Sequence, residues 1–179
     1  MSGPHHYSDH YAVTVIGNDR PGIVAGVTRA LFETGCNLED ATSTILRGHF
    51  SMMLVISSDG PQGTLEASLA GAADDLGVMI TVKPVEEAAL DFDAPTHMVS
   101  VYGADHPGIV FRISDALATA GANVTDLTSR IIGSPEEPVY ALMMEVAASD
   151  GKGLEDLLTG IASEIGVDVS VHPIEADLL

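Results

Sequence analysis

Basic side chains are scarce in this sequence. The 179 residues include 7 Lys and Arg against 26 Asp and Glu, a formal charge of −19. Binding nucleic acid through its phosphates needs clustered Lys and Arg. Seven basic residues spread from Arg20 to Lys152 form no such cluster. An acidic surface repels a polyanion and an anionic membrane alike, so direct nucleic-acid contact and membrane association are both disfavoured. Cysteine is nearly absent. Cys36 stands alone, which excludes an internal disulfide and a Cys-rich zinc site. Tryptophan is missing, and the aromatics amount to 4 Tyr and 4 Phe. Long apolar runs are missing too. The longest aliphatic run is Met52–Ile56, whereas a spanning helix needs roughly 20 residues. The opening MSGPHHYSDHY has neither a basic nor an apolar leader segment, so the expectation is a cytoplasmic protein. No phosphate loop, zinc signature, nucleophile elbow or dinucleotide fingerprint is present. No catalytic residue, metal or cofactor is therefore expected.

What is there is a core and a repeat. Hydrophobic residues make up 46% of the chain, too many for a disordered acidic polymer. The 33 residues from Val13 and the 33 from Val99 are identical at 16 positions without a gap. Such self-similarity marks a duplicated folding unit. Beyond this stretch the second copy gains five residues, in GSPEEP, if SMMLVISSDG is matched to LMMEVAASDG. The tails then realign as LGVMITVKPVE and IGVDVSVHPIE. The reading is a first domain over 9–87, a linker over 88–96 and a second domain over 97–175.

Each copy reads as strand, helix, strand, strand, helix, strand. Tyr11–Ile16 and Met98–Tyr102 are β-rich and run into Gly. Pro21 and Pro107 fit the first turn of a following helix. Ile23, Val27, Ala30, Leu31 and Thr34 then share one helical stripe, repeated by Ile109, Ile113, Ala116, Leu117 and Ala120. Gly35 and Gly121 end these helices. Leu38–Leu46 with His49–Ser57, and Val124–Ile132 with Val139–Ala148, read as strand pairs. Leu65, Leu69, Ala72 and Leu76 mark a second helix, matched by Leu154, Leu158, Ile161 and Ile165. Val78–Val82 and Val167–Val171 close the copies. This order gives an α+β architecture of two βαββαβ repeats. Each is a four-stranded antiparallel sheet with two helices on one face. About 80 residues make a thin core, so the bare sheet face and edges call for cover by the other copy or a second molecule.

The repeated polar residues sit where chemistry is available. Gly17-x-Asp19-x-Pro21-Gly22-Ile23-Val24 recurs as Gly103-x-Asp105-x-Pro107-Gly108-Ile109-Val110. Gly35-x-Asn37-x-x-Asp40 recurs as Gly121-x-Asn123-x-x-Asp126. The first motif ends at a helix N-terminus, where free N–H groups suit a carboxylate. Asp19 adds an acceptor for an ammonium group, and Asn37 offers a donor and an acceptor. Together these suit a zwitterion, a small free amino acid. The competing reading is structural: Asp19 and Asp105 cap helices, and Pro and Gly shape a turn.

Other candidates carry less. Cys36 has Ala122 as its counterpart and reads as a small buried thiol. His5, His6 and His10 read as a solvated tail rather than a metal site. His106 replaces Arg20 and either tunes the second loop with pH or faces solvent. Met52, Met53, Met143 and Met144 read as sheet and core filler. Glu39-Asp40 and Glu86-Glu87 read as solvated faces.

GNDRPGIVAGVTRALFETGCNLEDA resembles an ACT domain, and GADHPGIVFRISDALATAGANVTDL resembles a second. The tandem form without a catalytic domain is similar to the glycine cleavage system transcriptional repressor family, and the likeness spans nearly all of 9–175. Copy two, with His106 and Ala122 in place of Arg20 and Cys36, fits the generic module better. The resemblance implies domains paired side by side and an amino acid bound between them. It implies ligand contacts from Asp19, Pro21, Gly22, Ile23, Val24 and Asn37, with Asp105, Pro107, Gly108, Ile109, Val110 and Asn123 opposite. It further implies a non-enzymatic regulator working through a protein partner, either a transcription factor or an enzyme, and allows a homodimer. A ligand-free interaction module is the remaining alternative.

Overall fold

A computed structural model describes residues 9–85 and 94–174. The chain divides into two compact units, residues 1–91 and 92–179. Most of the linker expected at 88–96 lies outside the described residues, as do His5, His6 and Glu86-Glu87.

Unit 1 runs β1 (Asp9–Asn18), α1 (Ile23–Glu33), β2 (Asn37–Leu46), β3 (His49–Ser58), α2 (Gln62–Leu76) and β4 (Val78–Val85). Unit 2 repeats it as β5 (His97–Gly103), α3 (Ile109–Thr119), β6 (Asn123–Gly133), β7 (Pro138–Ala147), α4 (Gly151–Ile165) and β8 (Val167–Pro173). The sheets are ordered β2-β3-β1-β4 and β6-β7-β5-β8, antiparallel throughout. The βαββαβ architecture is therefore as the sequence implies. β2 and β6 are edge strands, and every residue of β2 is exposed.

The core of each unit lies between sheet and helices. In unit 1, Val13, Val15, Leu54 and Ile56 meet Ile23, Val27, Leu31, Leu65 and Leu69. In unit 2, Val99, Val101, Leu142, Met144 and Val146 meet Ile109, Ile113, Leu117, Leu154 and Leu158. Burying each of these side chains is worth about 1.5–3 kcal/mol. The other sheet face keeps apolar residues in the open, among them Ile16, Met53 and Met79 in unit 1 and Tyr102 and Met143 in unit 2.

Two details correct the sequence reading. Pro21 and Pro107 precede their helices instead of occupying the first turn, because Gly22 and Gly108 are the N-caps. The match of the third strands is also one residue out. Val13 pairs with Leu54 and Val99 with Met144, so these two positions are equivalent. Side chains alternate faces along a strand, so a slip of one exchanges inside and outside. Met52 is buried while Met143, its partner in the letter-for-letter match, is exposed; Met53 is exposed while Met144 is buried. Only half of the four methionines fill the core.

Both first helices end in one motif. Gly35 and Gly121 take φ of 75° and 73°. The N–H of Gly35 donates to Phe32 at 3.0 Å and that of Cys36 to Leu31 at 3.0 Å; Gly121 and Ala122 donate to Ala118 and Leu117 at 3.0 and 2.9 Å. This is the Schellman pairing, which places a small apolar residue just past the glycine. Cys36 and Ala122 occupy that place and pack on the cores.

Candidate functional site

The loop from β1 to α1 ends in a glycine in the left-handed region. Gly22 has φ 98° and Gly108 φ 99°. A Cβ at either position would meet nothing within 4 Å. A side chain at either position would have room, but the backbone there is one that side-chain-bearing residues rarely adopt. No side chain caps α1 or α3. This removes the structural reading of Asp19 and Asp105 as caps: both are exposed and neither accepts from its helix. The first-turn amides of each helix remain without side-chain partners, which is the arrangement that holds an anion.

Ile23 and Ile109 are 1% and 2% exposed and belong to the cores. Their side chains cannot line a surface site, so they offer it only their N–H groups. Val24 and Val110 are exposed beside them, as are Pro21 and Pro107. The loops are anchored from behind. In unit 1 the N–H of Asp19 donates to Gly48 at 2.9 Å, and Arg20 Nη2 donates to the Asp75 carbonyl at 2.7 Å. In unit 2 His106 Nε2 lies 2.9 Å from the Ile165 carbonyl. His106 is half-buried and hydrogen-bonded, so the solvent-facing alternative does not hold.

Asn37 and Asn123 are exposed at the starts of the edge strands. They do not join the loops of their own units. Asn37 pairs with Ser57, which pairs with His10, at one end of the sheet; the Asp19 loop follows Asn18 and His49 at the other. The two ends are about 26 Å apart at roughly 3.3 Å per residue. Asn123, opposite Ala147, is likewise far from the loop that follows Gly103.

Sequence reasoning missed a recurrent β-bulge. The register shifts between Leu38 and Asp40 and again between Val124 and Asp126. Bulges re-aim side chains and cluster near functional sites. The bulged Glu39 reaches across β3 to His10 at 3.3 Å. Ser57, the register partner of His10 on one side of β3 and of Asn37 on the other, is fully buried and its hydroxyl has no partner. The repetition of Asp40 and Asp126 was the available signal, since each sits just after its bulge. Asp40 Oδ1 accepts from the Ala41 N–H at 2.7 Å.

A groove of about 490 Å³ lies between α1 and α2, lined by Gly22, Ala25, Gly26, Arg29 and Asp75 among others. A Cβ on Gly26 would stand 2.9 Å from Leu76 Cδ1, so a larger residue there needs that leucine to shift. Unit 2 has Arg112 at this position, ion-paired with Glu164 across the helices. The two units therefore differ beside the loop. Among the described residues no cluster of three or more His, Cys, Asp and Glu is placed to hold a metal. No described helix is long and apolar enough to cross a membrane.

Comparison with known proteins settles the family. ACT domain models match residues 10–83 and 97–158, one in each unit. The chain belongs to the ACT-domain family. Across both ACT domains it is 27% identical to the glycine cleavage system transcriptional repressor of Escherichia coli strain K12, over 92% of this chain and 90% of that one. It is 26% identical to the phosphoserine phosphatase of Mycobacterium tuberculosis, over 89% of this chain but 40% of the enzyme. A crystal structure of a protein of unknown function from Galdieria sulphuraria superposes with a TM-score of 0.79 at 25% identity, covering 93% of this chain and 98% of the other. The match takes in nearly all of the repressor but less than half of the phosphatase.

Proposed function

We propose that the chain is a non-enzymatic regulator that binds a small amino acid where two ACT domains meet, and that it passes the signal to a protein partner. The observation carrying this reading is the repeated open helix N-terminus. No side chain caps the helix that follows Gly22 or Gly108, and an exposed Asp19 or Asp105 stands in the loop before it. The amides suit a carboxylate and the aspartate an ammonium group.

The distance between each loop and its own asparagine supports the interface. Two ACT domains pairing their edge strands in opposite directions would bring the loop of one to the asparagine of the other. Asp19, Pro21, Gly22 and Val24, and likewise Asp105, Pro107, Gly108 and Val110, would then meet the asparagine of a paired ACT domain. Ile23 and Ile109 would contribute main-chain N–H groups. The exposed edges of β2 and β6 are suited to such pairing, within one chain or in a homodimer.

Likeness to a transcriptional repressor along nearly the whole chain supports a role in transcriptional control. The charge of −19 directs that role through another protein rather than through DNA. A second reading, a detached regulatory subunit of an amino-acid enzyme, is favoured by the likeness to part of a phosphatase. Affinity capture from the native cell extract, with and without added amino acids, separates the two. Amino-acid-dependent recovery of a DNA-binding protein supports the first, and recovery of a metabolic enzyme supports the second. Recovery that ignores every amino acid would overturn the sensor reading.

A further inference from the structure

The residue after the loop aspartate does the same mechanical work in both units, with different chemistry. Arg20 Nη2 donates to the carbonyl of Asp75, in the last turn of α2. His106 Nε2 lies 2.9 Å from the carbonyl of Ile165, the last residue of α4. These carbonyls belong to the final turn, where helical partners run out and a cation is favoured. Each side chain therefore fastens the β–α loop to the end of the second helix.

The two fastenings differ in what a proton does to them. A guanidinium keeps its charge at any ordinary pH. Both ring nitrogens of His106 face carbonyl oxygens, since Nδ1 lies 3.2 Å from that of Pro107. A carbonyl only accepts. Neutral imidazole donates from one nitrogen and would turn a lone pair toward the other oxygen, whereas imidazolium donates from both. Asp105 precedes His106, Glu164 on α4 is paired with Arg112 of α3, and Asp168 lies on β8.

We propose that position 20/106 is a positioning residue for the ligand loop, permanent as Arg20 in unit 1 and proton-dependent as His106 in unit 2. Losing the proton would loosen Asp105–Gly108 and weaken any ligand held there, while Asp19–Gly22 stays set. The effect on ligand rests on the amino-acid reading above; the effect on the loop does not.

The test is solution NMR of the full ¹⁵N-labelled chain, without ligand, from about pH 8 to about pH 5, the range in which histidines change charge. The wild type should show the signals of loop amides 105, 106 and 108 shifting with pH in step with those of the His106 ring, and protection against exchange, relative to the intrinsic rate at each pH, about tenfold greater at the acid end. Loop 19–22 should stay flat. His106→Arg should abolish the titration and keep the slow exchange, and Arg20→His should transfer it to loop 19–22. A flat 105–108 loop, or one whose response survives in His106→Arg, overturns the proposal. Calorimetry with each of the twenty amino acids on the same samples separates the two claims. Absence of binding with titrating loops ends the sensor reading and leaves the fastening, whereas binding with flat loops does the reverse.

Discussion

Gly22 and Gly108 hold φ near +98° in front of open space. Alanine there clashes with nothing and costs only backbone strain, about 1–2 kcal/mol. Gly22→Ala and Gly108→Ala should each lower stability by that amount in urea unfolding; no change would show that the loop relaxes. Ser57 is the opposite case. Its buried hydroxyl has no partner, so Ser57→Ala should be neutral or stabilising by up to about 1 kcal/mol. A loss above that would reveal a hydrogen bond made in solution. Tyr11 is buried, and burial raises its hydroxyl above the ordinary value of 10.0, with Asp9, Cys36 and Glu66 adding to the rise. A raised folded value means that the unfolded chain ionises first. Stability is therefore full below about pH 10 and falls as pH climbs toward the folded value. Tyr11→Phe should blunt that alkaline loss. The repeat made Asp19 and Asn37 conspicuous in the sequence. The His10–Glu39 contact was hidden, because it joins strands that are not neighbours and depends on a bulge.

The helices and most strands were legible because hydrophobic spacing and punctuation agree. The stripes Ile23–Val27–Leu31 and Ile109–Ile113–Leu117 are buried as their spacing implies, and glycine ends both helices. The third strands misled because Met-Met occurs in both copies one position apart, and identical letters outweighed the alternation of faces. The bulges escaped because β2 and β6 are mostly exposed edges and carry little hydrophobic pattern to set register. Helix packing gives a direct check. Leu158 is fully buried on α4, and Leu158→Ala should cost about 2–5 kcal/mol by leaving a cavity. The exposed Leu157, its neighbour in sequence, should tolerate alanine with a change under about 0.5 kcal/mol. Equal costs would contradict the placement of the α4 face.

The two ACT domains have separate cores and unequal loops, one fastened by arginine and one by histidine. Both share a large excess of acid. A charge of −19 repels itself, so added salt should raise the melting temperature by screening. The domain duplication was legible from the repeat, and the module from the resemblance of its loop segments to ACT domains. The separation of Asn37 from the Asp19 loop was not read from the repeat; strand order and register place them at opposite ends of one sheet. The central claim is that the open helix N-termini bind an amino acid. Isothermal titration calorimetry of the wild type and of an Asp19→Ala/Asp105→Ala double variant tests it most directly. The account predicts that at least one of the twenty amino acids binds at millimolar concentration or tighter, and that the double variant loses about tenfold or more of that affinity. No binding by any amino acid, or unchanged binding by the double variant, would contradict it.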